Sequence, residues 1–176
     1  MTENGGAKPL FTKIELLGKN HDRSVFSCGN DALDTYLKKR AAQEAKKKIA
    51  TTFVMVGIQP SEIIGYYTLS ATSILLDDLP DKISKKLPKY PQVPATLLGR
   101  LAIDRRHQGM GYGEILILDA LRRSLNAATV VASYAVVVDA IDEHARSLYE
   151  HYGFCVFPDR RLPLFMPMKT ISDLFS

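Results

Sequence analysis

Cysteine is scarce, histidine is scattered and long apolar runs are missing, and each shortage excludes something. The 2 cysteines, Cys28 and Cys155, are too few for a disulfide framework or a four-ligand zinc site, and the 4 histidines form no metal-ligand pair at helical spacing. No metal site is expected. No run approaches the roughly 18 apolar residues of a membrane span; the longest candidate, Val130 to Val138, is interrupted by Ser133 and Tyr134. The first residues, Met1 to Lys8, lack the apolar core of a signal segment. A cytoplasmic chain that meets no membrane is implied, with residues 1–12 a flexible lead-in and residues 13–176 one domain. No strong charge of one sign is present either: 23 Lys+Arg stand against 19 Asp+Glu, a net +4 that fits neither a disordered polyelectrolyte nor an acidic tail. With 46% hydrophobic residues in 176, the chain can bury one sizeable core but not two.

Ile14 to Leu17 reads as the start of a sheet, and Asn20 to Arg23 as a polar connection. Asn30 or Asp31 can cap a helix carrying Leu33, Tyr36 and Leu37 on one face, which runs on to Lys48 unless it breaks. Its second half holds Lys38, Lys39, Arg40, Lys46, Lys47 and Lys48 against Glu44, a basic surface. Thr51 to Ile58 and Ile63 to Ile74, joined by a turn at Gln59 to Glu62, predict a β-hairpin. Four prolines between Leu76 and Pro94 forbid a long helix, though Asp81 to Leu87 can form two turns with Lys82, Lys85, Lys86 and Lys89 on one face. Ala95 to Ile103 reads as a strand, Gly113 to Asn126 as a helix burying Ile117, Leu118, Leu121 and Leu125, and Val130 to Val138 as a buried strand. Asp142 to Tyr152 is a helix stopped by Gly153, followed by short strands at Phe154 to Phe157 and at Leu164 to Met168, the latter closing the sheet with Pro163 and Pro167 suited to an edge. The order strand, loop, helix, strand, helix, strand implies a crossover between parallel neighbours, so the class is mixed α/β.

The most informative segment is Arg105-Arg106-His107-Gln108-Gly109-Met110-Gly111-Tyr112-Gly113, between a strand and a helix. Alternate glycines let main-chain N–H groups converge, and the helix beginning beside them adds partial positive charge, an arrangement suited to a pyrophosphate. Such a turn also occurs without any ligand. A dinucleotide fingerprint fits poorly, since the G-x-G-x-x-G spacing is missing.

Arg106-x-x-Gly109-x-Gly111 after the strand Leu98 to Ile103 resembles the acetyl-CoA pyrophosphate loop of the GNAT N-acetyltransferases. Asp142-x-x-Ala145-x-x-Leu148-Tyr149-x-x-x-Gly153-Phe154 resembles the family's helix bearing a thiol-facing tyrosine, with Asp142 where Asn is usual. Phe26 to Leu37, Ala41-Ala42-Gln43, Gly65 to Ser70 and Pro94 to Ala102 are similar to acetyltransferase toxins of bacterial type II toxin–antitoxin modules. The likeness spans about Lys13 to Lys169. It implies the GNAT fold, a mixed, mostly antiparallel sheet with two splayed parallel central strands and flanking helices. It also implies acetylation of the α-amine of aminoacyl-tRNA, arrest of translation, a small ribbon-helix-helix antitoxin, operator DNA bound through the antitoxin complex, and a homodimer.

The same resemblance implies the site. Leu101, Ala102 and Ile103 would meet the pantetheine and acetyl carbonyl through the backbone. Arg106, Gln108, Gly109, Met110, Gly111, Tyr112 and Gly113 would wrap the pyrophosphate, with His107 at its rim and Asp142 also on the acetyl-CoA side. Tyr149 would be the general acid for the departing thiolate, the alternative being a packed tyrosine with its hydroxyl in solvent, as expected for Tyr152. Lys38, Arg40 and Arg100 are the expected tRNA contacts, through sequence-independent phosphate interactions. Two other readings stand beside this one: an acetyltransferase of a protein or small-molecule amine, and mainly a DNA-binding co-repressor acting with the antitoxin, its cofactor loop a remnant. A polyamine site would favour an acidic cleft, and an intact glycine loop with Tyr149 speaks for catalysis.

Overall fold

The computed structural model describes residues 11–59 and 61–176. The lead-in expected at 1–12 lies outside the described residues as far as Leu10, and strand β1, Phe11–Leu16, takes in the rest. Next come helix α1 (Asp31–Thr35), a π turn (Tyr36–Arg40) and helix α2 (Ala41–Lys46) in direct succession. Asn30 starts this run, its Oδ1 accepting from Ala32 N at 3.0 Å and Leu33 N at 3.3 Å. The π turn is the break that the sequence left open. Its extra residue per turn keeps Tyr36, Leu37 and Ala41 all buried against the sheet while Lys38, Lys39 and Arg40 stay exposed.

Strands β2 (Thr51–Gly57) and β3 (Ile63–Leu75) form the hairpin; helix α3 (Asp81–Ser84) and strand β4 (Gln92–Ile103) follow. Helix α4 (Tyr112–Ala127), strand β5 (Ala135–Asp139), helix α5 (Glu143–His151), strands β6 (Cys155–Phe157) and β7 (Arg160–Pro167) and helix α6 (Met168–Leu174) complete the chain. The seven strands form one sheet in the order β1-β2-β3-β4-β5-β7-β6, antiparallel except for β4 with β5. α4 packs over one face on Met55, Tyr67, Leu98, Val136 and Val138. α1 and the π turn cover Val54, Val56 and Tyr66 on the other. Tyr67 ties the first layer together, its hydroxyl donating to Asp119 of α4, which also accepts from Arg123 Nε at 2.8 Å.

The structure corrects several expectations. β5 starts only at Ala135, where Tyr134 N donates to Pro94 O at 2.8 Å, and Val130 and Val131 precede it as loop residues 85% and 74% exposed. In α4, Leu116, Ile117, Ala120 and Leu121 face inward while Leu118 is 39% exposed. α3 stops at Ser84, so Lys85, Lys86 and Lys89 do not continue a helical face with Lys82. β7 is an internal strand and three-residue β6 is the edge. β7 tolerates Pro163 because the register with β6 jumps from Val156↔Leu164 to Phe157↔Arg160, passing over it, and Pro167 lies beyond the last β6 partner, Phe165.

Candidate active site

β4 and β5 pair only from Ala95↔Ala135 to Leu98↔Val138. β4 continues to Ile103, so the sheet opens beyond Leu98. A bulge sits at this point: Thr68 faces Arg100 and Leu69 faces Leu98, leaving Gly99 as the extra residue. Further along, Asp104 N donates to Ile64 O at 2.8 Å. In an antiparallel ladder residues two apart face the same neighbour, so Ala102 and Arg100 also turn their main-chain groups to β3. Leu101 and Ile103 turn theirs into the opening. Ile103 O is occupied there by Gln108 Nε2 at 2.9 Å. The Ala102 side chain is buried beside Tyr66.

The opening is part of a cleft of about 600 Å³. Gly109, Gly111 and Gly113 line one end, where α4 begins with Gly111 as its N-cap. Gly109 and Gly111 have φ of +78° and +85°, a region glycine enters freely, and at all three glycines a Cβ would meet nothing within 4 Å. The loop is therefore an open cradle of main-chain donors at the positive end of a 16-residue helix. Together with the outward groups of Leu101 and Ile103, it fits a pyrophosphate joined to an extended amide-bearing chain, the two parts of an acyl-CoA.

The neighbouring side chains of the loop face elsewhere. Arg106 lies over Asp104, Nε to Oδ1 at 2.9 Å, and Asp104 also accepts from Ser27 N at 3.2 Å. Burial alone would raise the Asp104 carboxyl, but the Arg106 and Ser27 donors hold it below the ordinary range. His107 is buried, Nε2 at 3.1 Å from Glu62 Oε1, its ring against Tyr112, which is buried as well. Gln108 bridges Ile103 O and Cys28 O, fastening the loop to the segment before α1. Met110 stands exposed.

Along the other wall, Ala145, Leu148, Tyr149 and Tyr152 of α5 and the turn after it share one helical face towards the cleft. Tyr149 packs edge-on against Phe154 at 5.4 Å, and its hydroxyl has no hydrogen-bond partner among the described residues. Burial pushes this phenol up to about 12. Asp142 caps α5, its Oδ1 accepting from Ala145 N at 2.9 Å, and is not among the cleft-lining residues. Arg100 lines the cleft with its guanidinium carbon 3.5 Å from the centre of the Tyr36 ring, and the Tyr36 hydroxyl donates to Glu44. Lys38 and Arg40 stand exposed on that same π turn, outside the cleft lining. Tyr152 lines the cleft as well. Asp139 and Ile141 are further wall residues that no motif marked.

A sheet opened between parallel strands, a glycine-lined helix start at one end and a phenol along the wall make an acyl-transfer site. The model of the acetyltransferase (GNAT) family matches residues 30–154, and the chain belongs to that family. It is 34% identical over 182 residues, 99% of each chain, to a protein named probable toxin TacT from Sinorhizobium fredii. It is 35% identical over 153 residues, 87% of this chain and 90% of the other, to a tRNA-acetylating toxin from Mycobacterium tuberculosis. A solved structure of AtaT complexed with acetyl-methionyl-tRNAfMet is similar with a TM-score of 0.86 and 32% identity, over 93% of this chain and 99% of that one. Among the described residues no helix is long and apolar enough to cross a membrane, and no group of metal-ligating side chains occurs.

Proposed function

We propose that this enzyme uses acetyl-CoA to acetylate the α-amine of aminoacyl-tRNA and thereby stops translation, in the cytoplasm, as a toxin held in check by an antitoxin. The carrying observation is the open glycine cradle leading into the β4/β5 opening, with Arg100 held at its wall, in a chain that matches a tRNA-acetylating toxin over 87% of its length. Solved neighbours support the donor and the partners: AtaTR bound with AcCoA, AtaT with the C-terminus of the antitoxin AtaR, and a KacTA–DNA complex. A ribbon-helix-helix antitoxin, operator DNA contacted through it, and a homodimer are the finer parts of the proposal.

When bound, acetyl-CoA supplies an acetyl thioester, open to attack by a neutral amine. The N–H groups from Gly109 to Gly113 hold its pyrophosphate, and main-chain groups of Leu101 and Ile103 align the arm as an added strand would be aligned. Tyr149 Oη, protonated at any physiological pH, donates towards the departing sulfur. A phenol near 12 grips its proton more tightly than a thiol of about 8.5. Tyr149 therefore gives its proton up only as it regains one from the amine side, acting as a relay. The α-amine of an aminoacyl ester is less basic than a free α-amine, of pKa about 7.7 to 8.0, so no strong protein base is needed. Arg100, stacked on Tyr36, meets the acceptor's phosphates, and Lys38 and Arg40 extend that basic surface.

The test is incubation of the purified protein with labelled acetyl-CoA and total tRNA, half aminoacylated and half stripped. Label on the charged half alone, recovered as N-acetyl-aminoacyl adduct, is expected. Acetyl-CoA binding without label on either half would refute the acceptor and move the search to peptide and small amines.

A further inference from the structure

We infer that a second, smaller concavity behind the sheet opening seats the amino-acid side chain of the acceptor, and that Asp139 holds the acceptor's α-amine where the two concavities meet. The inference rests on the aminoacyl-tRNA reading above. β5 alternates across the sheet: Val136 and Val138 pack beneath α4, whereas Ala135 and Val137 pack with Phe157 and Phe165 on the opposite face. Asp139 continues the Val137 side. It is also the first β5 residue past the last β4 pair, Leu98↔Val138, and so stands at the mouth of the opening. It lines both the cleft of about 600 Å³ and a concavity of about 260 Å³ with Leu97, Val137 and Phe157 in its wall and Asp78 and Arg160 beside them. Among the described residues, Asp139 is the one that both share. Among them, too, no hydrogen bond or ion pair engages its carboxylate.

With the donor filling the larger cleft, a nucleophile needs an approach from another side, and the smaller concavity provides one that touches the same point. An aminoacyl ester carries its amine one carbon away from its side chain. A carboxylate at the junction can accept an N–H hydrogen bond from that amine, charged or neutral, while the side chain enters the hollow beyond. The ammonium proton leaves to water. Leu97, Val137 and Phe157 offer an apolar side to aliphatic, thioether or aromatic side chains, next to the polar Thr72 and Ser73. An acidic side chain would lose hydration there and face Asp78 and Asp139, both of its own sign, with Arg160 the single opposite charge in the lining.

The test uses the full chain with labelled acetyl-CoA and four acceptors: leucyl-, methionyl-, glycyl- and aspartyl-tRNA. Asp139→Asn, isosteric and at an exposed position, is expected to raise KM for each accepted tRNA about tenfold or more with acetyl-CoA affinity kept. Thr72→Trp, which fills the hollow from β3, is expected to cut kcat/KM for leucyl- and methionyl-tRNA at least about tenfold and for glycyl-tRNA less than about threefold. Aspartyl-tRNA is expected to be the poorest acceptor of the wild type. Unchanged KM in Asp139→Asn overturns the inference, as does an unchanged preference in a Thr72→Trp protein that still binds acetyl-CoA. If Thr72→Trp loses acetyl-CoA binding, Asp139→Asn decides alone. A wild type that binds acetyl-CoA and labels no aminoacyl-tRNA overturns the acceptor reading, and this inference with it.

Discussion

Gly109 allows backbone strain and ligand exclusion to be separated by two substitutions. Its φ of +78° is left-handed, and a Cβ there would meet nothing within 4 Å. In the free protein, alanine therefore costs only the left-handed conformation, about 1–2 kcal/mol. For a chain of this size that is a fall in Tm of about 2–8 °C. Asparagine adopts the same region more readily, so Gly109→Asn should cost less than Gly109→Ala. Ligand binding reverses the order, because the asparagine side chain reaches further into the cradle than a methyl group. Acetyl-CoA at a hundred times its Kd should stabilise the wild type by about 2.7 kcal/mol, a rise of about 5–11 °C. The assay is thermal melting of the three proteins with and without acetyl-CoA. Without ligand, the expected order of Tm is wild type, then Asn, then Ala; the expected order of ligand-induced rise is wild type, then Ala, then Asn. A full ligand-induced rise in both variants would refute the assignment of this loop to the pyrophosphate.

Tyr149→Phe should leave acetyl-CoA affinity within about twofold and lower kcat by about 10²-fold or more, the usual share of a positioned proton donor; stopped-flow turnover with labelled donor checks it. The same variant should alter alkaline stability. The folded Tyr149 keeps its proton until about 12 whereas an unfolded tyrosine releases it near 10, so stability is full below pH 10 and is lost as pH rises between the two values. Tyr149→Phe should flatten that loss in urea titrations run across this window. Tyr67→Phe removes the donor to Asp119 from the layer beneath α4 and should destabilise by about 1–3 kcal/mol in urea melts, with Arg123 still bound to Asp119. Replacing Lys38 or Arg40 by alanine should weaken binding of charged tRNA without touching that of acetyl-CoA. Each phosphate interaction removed in this way should reduce the slope of log affinity against log salt by about 1, readable by filter binding at several salt concentrations.

The glycine loop, the Asn30 cap and the Gly153 stop were legible in the sequence because each depends on spacing within a few residues, whereas Tyr149 was marked by the resemblance of its segment to the family's helix. α4 was harder to phase: Ile115 to Leu118 are four apolar residues in a row, so periodicity does not say which faces out, and the sheet beneath makes it Leu118. The start of β5 was illegible for a similar reason. Val130 and Val131 have strand-forming side chains, but pairing begins only where Tyr134 meets Pro94 of β4. Asp139 carried no signal at all, since its place depends on where one parallel partner stops while the other continues. The turning of Arg106 towards Asp104 and of His107 towards Glu62 likewise depends on segments distant in sequence.

The four-residue register of β4 with β5 is also a mechanical feature. It is a short seam joining two leaves of sheet, one of four strands and one of three, bound by few backbone hydrogen bonds at the line where the molecule works. An extended ligand laid beyond the seam lengthens it. A donor lying along that opening would therefore clasp the two leaves together as it binds.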